Sequence, residues 1–272
     1  MELGLKGQVA VITGGSGGFG SAIAEEYARE GVHTLIADIA MQAAEELADH
    51  LNRTYQHAQS VAVRTDVTDK VSVDNMARTA IERLGRIDIL VNNAGLIQRR
   101  KVLDIDDSFW EKMMTINLRG AIYASQACIP YMTNTDYGGR SYGRIIMMSS
   151  SSADHASAGM TLYSTTKIGL EMLGQAISKE HAQHDIFAIS PRLGVAPTSG
   201  WDFRSYADSI GLEYEPTIKD DDKRAVIEYY SKQMPLGKVG TPEEVAKIVV
   251  LCSSSLMQAF INQSLNAWWG RG

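Results

Sequence analysis

The segment VITGGSGGFGSAIA, residues 11–24, sets a glycine-rich turn directly between an apolar run and an amphipathic one. The run QVAVIT (8–13) has the length of a strand, and GFGSAIAEEYARE (18–30) has the length and pattern of a helix. A chain that begins strand, tight turn, helix is committed to few architectures. Glycine tolerates φ > 0 and lets backbone N–H groups come close to a ligand, and a helix N-terminus favours an anion there. Gly14, Gly18 and Gly20 are the positions expected to do this. A merely flexible turn is the plainer alternative.

The same rhythm continues. HTLIAD (33–38), QSVAVRTD (59–66), RIDILVNNAG (86–95), GRIIMMSSS (143–151) and DIFAISP (185–191) read as strands bounded by turn-forming residues. Helical segments are expected at 18–30, 41–51, 70–84, 107–132 and 161–182. The strands lack clean alternation, which implies a parallel sheet covered on both faces. The fold class is therefore α/β: one Rossmann-like doubly wound sheet with helices on both faces, forming a single domain over 1–272. Residues 198–235 break the rhythm and mix aromatic with charged residues, so they are expected to form a substrate-lid insertion. Beyond it, GTPEEVAKIVVLCSSS reads as a helix opened by Thr241 with Pro242 in its first turn. FINQSLNAWW offers a last strand.

Composition narrows the partners. A net charge of −6 argues against a nucleic-acid partner, which would want a basic face. No apolar run of about 18 residues exists, so no membrane span is expected. Cys128 and Cys252 sit in apolar surroundings without metal-ligand spacing and read as reduced core thiols. No metal site is expected. With no secretory signal at the N-terminus, the expected compartment is the cytoplasm.

Asp38 falls about 20 residues past the glycines, at the end of the second strand. A carboxylate there accepts from both ribose hydroxyls of NAD and repels a 2′-phosphate. No Arg or Lys stands in the glycine loop or beside Asp38 in sequence. NAD is the expected cofactor. Tyr163 and Lys167 stand four apart in YSTTK, so on a helix they share a face. Leu162, Gly169, Leu173, Ala176 and Ile177 recur at helical spacings and turn one stripe of that helix inward.

TGGSGGFG, NNAG (92–95), TINLRG around Asn117, SSSS (149–152) and YSTTK together resemble the short-chain dehydrogenase/reductase family in order and spacing. The resemblance spans residues 5–196 and, more loosely, 234–266. It implies that Tyr163 is the catalytic acid/base, with Lys167 its activator and a ribose ligand. Ser150, thirteen residues before the tyrosine, would orient the substrate oxygen, with Ser149 and Ser151 left open as neighbours. Asn117 would hold a water that links Lys167 to solvent. Further cofactor contacts would come from Ser16, Phe19, Asp66, Val67, Asn93, Ala94, Gly95 and Pro191, with Asn92 also near the adenosine ribose. Asp66 has a second reading as a helix N-terminal turn residue.

A free phenol ionises near pH 10. An adjacent ammonium and the positive nicotinamide of NAD⁺ are expected to lower that value by about 3 units, about 4 kcal/mol of electrostatic work. The tyrosinate would then take the substrate's hydroxyl proton while hydride leaves for the cofactor.

The chain departs from the family after its sixth strand. In FAISPRLGVAPTSG, Phe187 replaces an asparagine and Arg192 a glycine, and Ala196 stands at the threonine position with Thr198 two residues late. The C-terminal Asp-Gly-Gly is replaced by NAWWGRG. Gln98 and Arg100, beside Arg99 in QRR, together with Arg192, would suit a substrate carboxylate, and QRR is similar to gluconate- and keto-sugar-acid-type members. A solvated charge run is the alternative. The expected substrate is a sugar, polyol or sugar acid with a secondary alcohol. Trp201, Phe203, Tyr206 and Tyr214 leave open an apolar ring such as a dihydrodiol or steroid. A non-catalytic NAD-binding member is the third possibility. The resemblance also implies a homotetramer or homodimer built on the 107–132 and 161–182 helices.

Overall fold

The computed structural model describes residues 2–134, 142–198, 203–209, 211–213, 219–261 and 263–267. In chain order these form β1 (Val9–Thr13), α1 (Gly18–Arg29), β2 (His33–Asp38), α2 (Met41–Thr54), β3 (Ser60–Arg64), α3 (Lys70–Leu84) and β4 (Ile89–Asn92). There follow α4 (Asp107–Met114), α5 (Gly120–Asn134), β5 (Gly143–Met147), β6 (Ser149–Ser150), α6 (Thr161–His181) and β7 (Ile186–Leu193). The last part holds α7 (Phe203–Ser209), α8 (Asp220–Lys232), α9 (Pro242–Ser253) and β8 (Ser264–Ala267).

All pairings are parallel. β1 lies between β2 and β4, β3 flanks β2, and β5 flanks β4. Gly143 pairs with Ile186 and Ser149 with Arg192, the same offset, so β6 prolongs β5 along one side of β7. β8 takes the other side. The sheet is the doubly wound one the sequence implies, and its strand order reverses between β1 and β4, where such sheets open a crevice.

Residue alternation along the strands feeds two cores. Ala10, Ile12 and Ile36 pack with Ile23, Tyr27 and Val249 on the α1/α9 face. Val11, Leu35 and Leu90 pack with Ala124 and Leu170 on the α3/α5/α6 face. Burial of each such aliphatic side chain is worth about 1.5–3 kcal/mol, which makes the strand ends a rigid platform. Both cysteines are buried and free.

Three local features differ from the expected pattern. The expected 107–132 helix is broken by a π-helical turn at Thr115–Arg119, which carries Asn117. The expected 143–151 strand breaks at Met148, opposite Pro191 in the shared register. Proline offers no N–H to a ladder, so the break falls where the ladder lacks a donor. The expected lid contains α7 and α8, whereas Trp201 and Tyr214 lie outside the described residues. α9 opens as expected: Thr241 Oγ1 accepts from the Glu244 amide at 3.3 Å, and Glu244 accepts from the Thr241 amide at 3.1 Å.

Candidate active site

A cavity of about 1110 Å³ crosses the carboxyl ends of the strands, from Asp38, Thr65 and Asp66 beside β2 and β3 to Leu193 beside β7. Gly14, Ser16, Gly18 and Phe19 line it from the glycine turn. Gly18 has φ +54°, a value glycine adopts without strain. Gly20 is not in the lining, a correction to its expected contact role. Its importance is steric: a Cβ there would stand 2.1 Å from the Gly14 carbonyl oxygen and 2.8 Å from the Gly15 Cα. Its bare backbone lets α1 press against the turn.

Asp38 lines the cavity and braces the same turn, because its Oδ2 accepts from the Ser16 amide and its Oδ1 from the Ala40 amide, both at 3.0 Å. Arg64 of β3 stands in register with Asp38, a neighbour that distance along the chain concealed; it is not among the lining residues. Asp66 accepts from the Thr68 amide and hydroxyl at 2.9 and 2.7 Å, which hold its carboxyl below the usual range. Val67, Ala94 and Gly95 line the middle. Asn93 ties β4 to the turn by donating to the Thr13 and Gly14 carbonyls at 3.0 and 2.8 Å.

At the β5–β7 side, Ser150, Tyr163 and Lys167 face the cavity together. The Tyr163 phenol and Ser150 face each other closely enough for the serine to act on the phenol's pKa, lowering it, and the Ser150 Oγ accepts from the Ser152 amide at 3.1 Å. The alternatives Ser149 and Ser151 also line the cavity, but the Ser149 hydroxyl is engaged, donating to Glu171 at 2.6 Å. Lys167 is 7% exposed, and its Nζ donates to the Met148 carbonyl at 2.6 Å. Burial lowers its ammonium to about 8. The phenol behaves contrary to expectation: burial raises the Tyr163 pKa in the protein alone, and the nearby Tyr206 adds to this. Desolvation dominates, and the Lys167 ammonium is turned to a backbone carbonyl.

Asn117 is 1% exposed and lies behind the cavity wall. It clamps Leu96 from both sides, accepting from its amide at 2.8 Å and donating to its carbonyl at 2.9 Å. A π-turn spreads the helix at that point and lets the side chain reach the strand-end loop.

Gln98 lines the cavity, but Arg100 and Arg192 do not. Arg100 pairs with Asp106 at 2.7 Å and stacks over Phe109 at 4.3 Å. Arg192 forks onto Glu171 with two bonds of 2.8 Å and reaches Asp154 at 3.2 Å. The substrate role expected of these two arginines is corrected: both cations are already neutralised elsewhere. Pro191 is likewise a strand residue outside the lining. Arg99, which the QRR run sets with Gln98 and Arg100 at the expected substrate mouth, does line the cavity, whereas Met160, Tyr230 and Ile39 line it without having been expected. Thr198, the displaced threonine, lies 3.5 Å from where a Gly18 Cβ would stand, so it still closes over the glycine turn.

The profile of the family described as short chain dehydrogenase matches residues 8–202. The chain belongs to the short-chain dehydrogenase family. It is 31% identical over 264 residues to a sorbitol dehydrogenase of Cereibacter sphaeroides, covering 96% of each chain. It is 34% identical over 253 residues to the oxidoreductase UcpA of Escherichia coli K12, covering 92% of this chain and 89% of that one. A crystal structure assigned to the short-chain alcohol dehydrogenases, from Sinorhizobium meliloti 1021, shares the fold with a TM-score of 0.84 at 24% identity, over 99% and 98% of the two chains. This family member is an oxidoreductase acting on CH–OH groups, and the family uses nicotinamide cofactors. Among the described residues, no helix is long and apolar enough to cross a membrane, and no cluster suits a metal ion.

Proposed function

We propose that this protein is an NAD-dependent dehydrogenase of a small polyhydroxylated secondary alcohol, with sugar acids as its preferred class. A dinucleotide fits the residues present: the glycine turn, Asp38, Asp66, Asn93 to Gly95 and Lys167 follow one another along the crevice. Asp38 on the cavity wall, with Arg64 outside it, favours NAD over its 2′-phosphorylated form. The bound nicotinamide supplies the hydride acceptor and donor that no side chain provides.

The chain's own residues handle the proton. Tyr163 exchanges it with the substrate oxygen, Ser150 holds that oxygen by a second hydrogen bond, and Lys167 places a positive charge beside the phenolate as it forms. Asn117 keeps the strand-end loop at Leu96 in place under the substrate.

The observation that carries the substrate class is Arg99. Arg99 lines the cavity with its guanidinium over the Tyr206 ring at 5.0 Å; Nη1 donates to the Ala158 carbonyl at 3.4 Å, and the buried Nε has no hydrogen-bond partner. Among the described lining residues the carboxylates are Asp38 and Asp66 beside β2 and β3, so the substrate side holds Arg99 and Lys167 without an acidic group. Such an end suits an anion, and a fork-shaped donor suits a carboxylate. Met160, Tyr206 and Tyr230 support a second reading, an apolar cyclic alcohol stacked on the aromatic wall. We read α7 and α8, which bring Tyr206 and Tyr230 to the cavity, as the substrate lid. The exposed Trp110, Ile168 and Met172 on α4 and α6 support self-association as a dimer or tetramer.

The test is NADH formation on aldonic acids, the matching neutral polyols, and cyclic diols, for the wild type and Arg99→Met. The expected outcome is turnover of an acid, with kcat/KM reduced about 100-fold by the substitution. Turnover of cyclic diols alone, untouched by the substitution, favours the second reading.

A further inference from the structure

Glu171 sits one helical turn beyond Lys167 on α6, so the two side chains share a face. It is 1% exposed. Four donors saturate its carboxylate: Ser149 Oγ at 2.6 Å, Ser264 Oγ at 2.7 Å, and Arg192 through Nε and Nη2, both at 2.8 Å. These donors come from β6, β8 and β7. Strand alternation explains the meeting. Ala188 and Ser190 face the α6 backbone at Gly174, and Arg192 follows two residues on along the same side of β7. The third nitrogen of Arg192 continues to Asp154, just beyond Ser150.

A buried carboxylate costs too much to leave unpaired, and a buried charge one turn from a lysine acts on it through a medium that screens little. Lys167 is the active-site ammonium one turn away on that face of α6. We propose that Arg192 and Glu171 are a positioning and charge-tuning pair for the active site, in which Arg192 cancels a buried negative charge beside Lys167 and so sets the pH range over which the Lys167–Tyr163 pair exchanges protons. The proposal rests on the reading of Tyr163 and Lys167 as the proton-handling pair. Titratable groups near this part of α6 include Asp154, already held by Arg192, and Tyr206, which acts on Tyr163; Asp107 and Lys112 on α4 and His184 in the turn after α6 belong to elements packed against the helix. Farther off, Arg144 pairs with Asp185, and the surface residues Glu111 and Arg119 pair with each other.

The pair makes an unusual demand on mutants: its two halves act in opposite directions. Arg192→Met leaves Glu171 uncompensated, which favours the ammonium and moves the Lys167 titration up by about one pH unit from its position near 8. Glu171→Gln leaves Arg192 uncompensated and moves it down by about the same amount. The double variant returns it toward the wild-type position. Arg192→Lys keeps the charge but loses the fork, so it lowers thermal stability with little change in the titration.

The experiment follows the Lys167 side-chain resonance by NMR in lysine-labelled protein without cofactor, assigned by its loss in Lys167→Arg, with the Tm of each variant measured alongside. Opposite shifts that cancel in the double variant support the pair. Shifts in one direction only, or a titration unmoved while Tm falls, reduce it to a packing role and overturn the proposal. If Arg192→Met does not fold, Glu171→Gln against Arg192→Lys decides: a downward shift in the first with the second unmoved supports the pair, and an unmoved titration in Glu171→Gln overturns it. Because the readout is independent of turnover, failure here is distinct from failure of the catalytic reading, which is judged by Tyr163→Phe activity.

Discussion

Lys167 and Met148 are joined by a 2.6 Å bond from the ammonium to a backbone carbonyl, while the same nitrogen stands 5.4 Å from the Tyr163 ring centroid. The carbonyl belongs to the residue at which β5 gives way to β6, opposite Pro191. A break in the ladder thus supplies the acceptor that anchors the lysine within reach of the phenol. The lysine is held from below by backbone, which fixes its position whether or not the phenol is ionised.

That anchoring has a consequence for stability against pH. Burial lowers the Lys167 pKa to about 8, against an ordinary value near 10.4. The folded state therefore releases this proton at lower pH than the unfolded state. The cost of the buried ammonium is fully present below about pH 8 and is relieved as pH rises toward about 10.4. Lys167→Met removes the cost, so its stability advantage over the wild type is greatest below pH 8 and shrinks by about 3 kcal/mol across that window. Urea unfolding of both proteins at a series of pH values measures the difference, and a constant offset would contradict it.

Tyr163→Phe is expected to leave NAD binding within about twofold and to lower kcat by at least about 10³-fold, since it removes from the cavity wall the phenol proposed to carry the proton. Calorimetric NAD titration alongside a progress-curve assay separates the two effects. Loss of binding and turnover together would remove Tyr163 from its assigned role.

Asp38 braces the Ser16 amide as well as lining the cavity, so a truncation tests two things at once. Asp38→Asn keeps the acceptor for Ser16 through its amide oxygen while removing the charge. It is expected to lower the NAD over NADP ratio of kcat/KM by about 10-fold with Tm little changed. Asp38→Ala should relax the ratio similarly but lower Tm by several degrees, because the turn loses its brace. An unchanged ratio in both would end the case for Asp38 as the ribose ligand.

The strands from Val9 to Leu193 and their covering helices were legible because apolar runs of strand length, cut by Gly, Asn and Ser, alternate with helical patterns. The clustering of Ser150, Tyr163 and Lys167 at the cavity was legible from an ordered set of motifs. Direction was not. A sequence shows an arginine at 192 but not the strand alternation that turns it onto Glu171, nor that Arg100 finds Asp106 while Arg99 keeps a buried nitrogen unpaired. The phenol failed the sequence argument for a related reason. Charge neighbours can be guessed from spacing on a helix, whereas desolvation depends on everything packed around the site.

Gly20→Ala gives the sharpest test of the glycine turn. A methyl group would stand 2.1 Å from the Gly14 carbonyl oxygen, 2.8 Å from the Gly15 Cα and 2.9 Å from the Asn93 Nδ2. Two of these neighbours are backbone, so the turn itself has to move, and it carries Asn93's bond to Gly14 with it. Gly17, by contrast, has open space where a Cβ would go and a φ of −142° that any residue adopts. Gly17 lines the cavity, so Gly17→Ala is the control for stability, adding the same methyl to the same turn without a clash inside the protein. Gly20→Ala is expected to weaken NAD binding by at least about 100-fold and to destabilise the protein by about 1–3 kcal/mol, while Gly17→Ala changes stability by less than about 1 kcal/mol. Calorimetric binding and thermal unfolding of the two variants check this. Equal losses in both would mean that the turn contributes through its flexibility rather than through the close approach of α1 that a bare backbone permits.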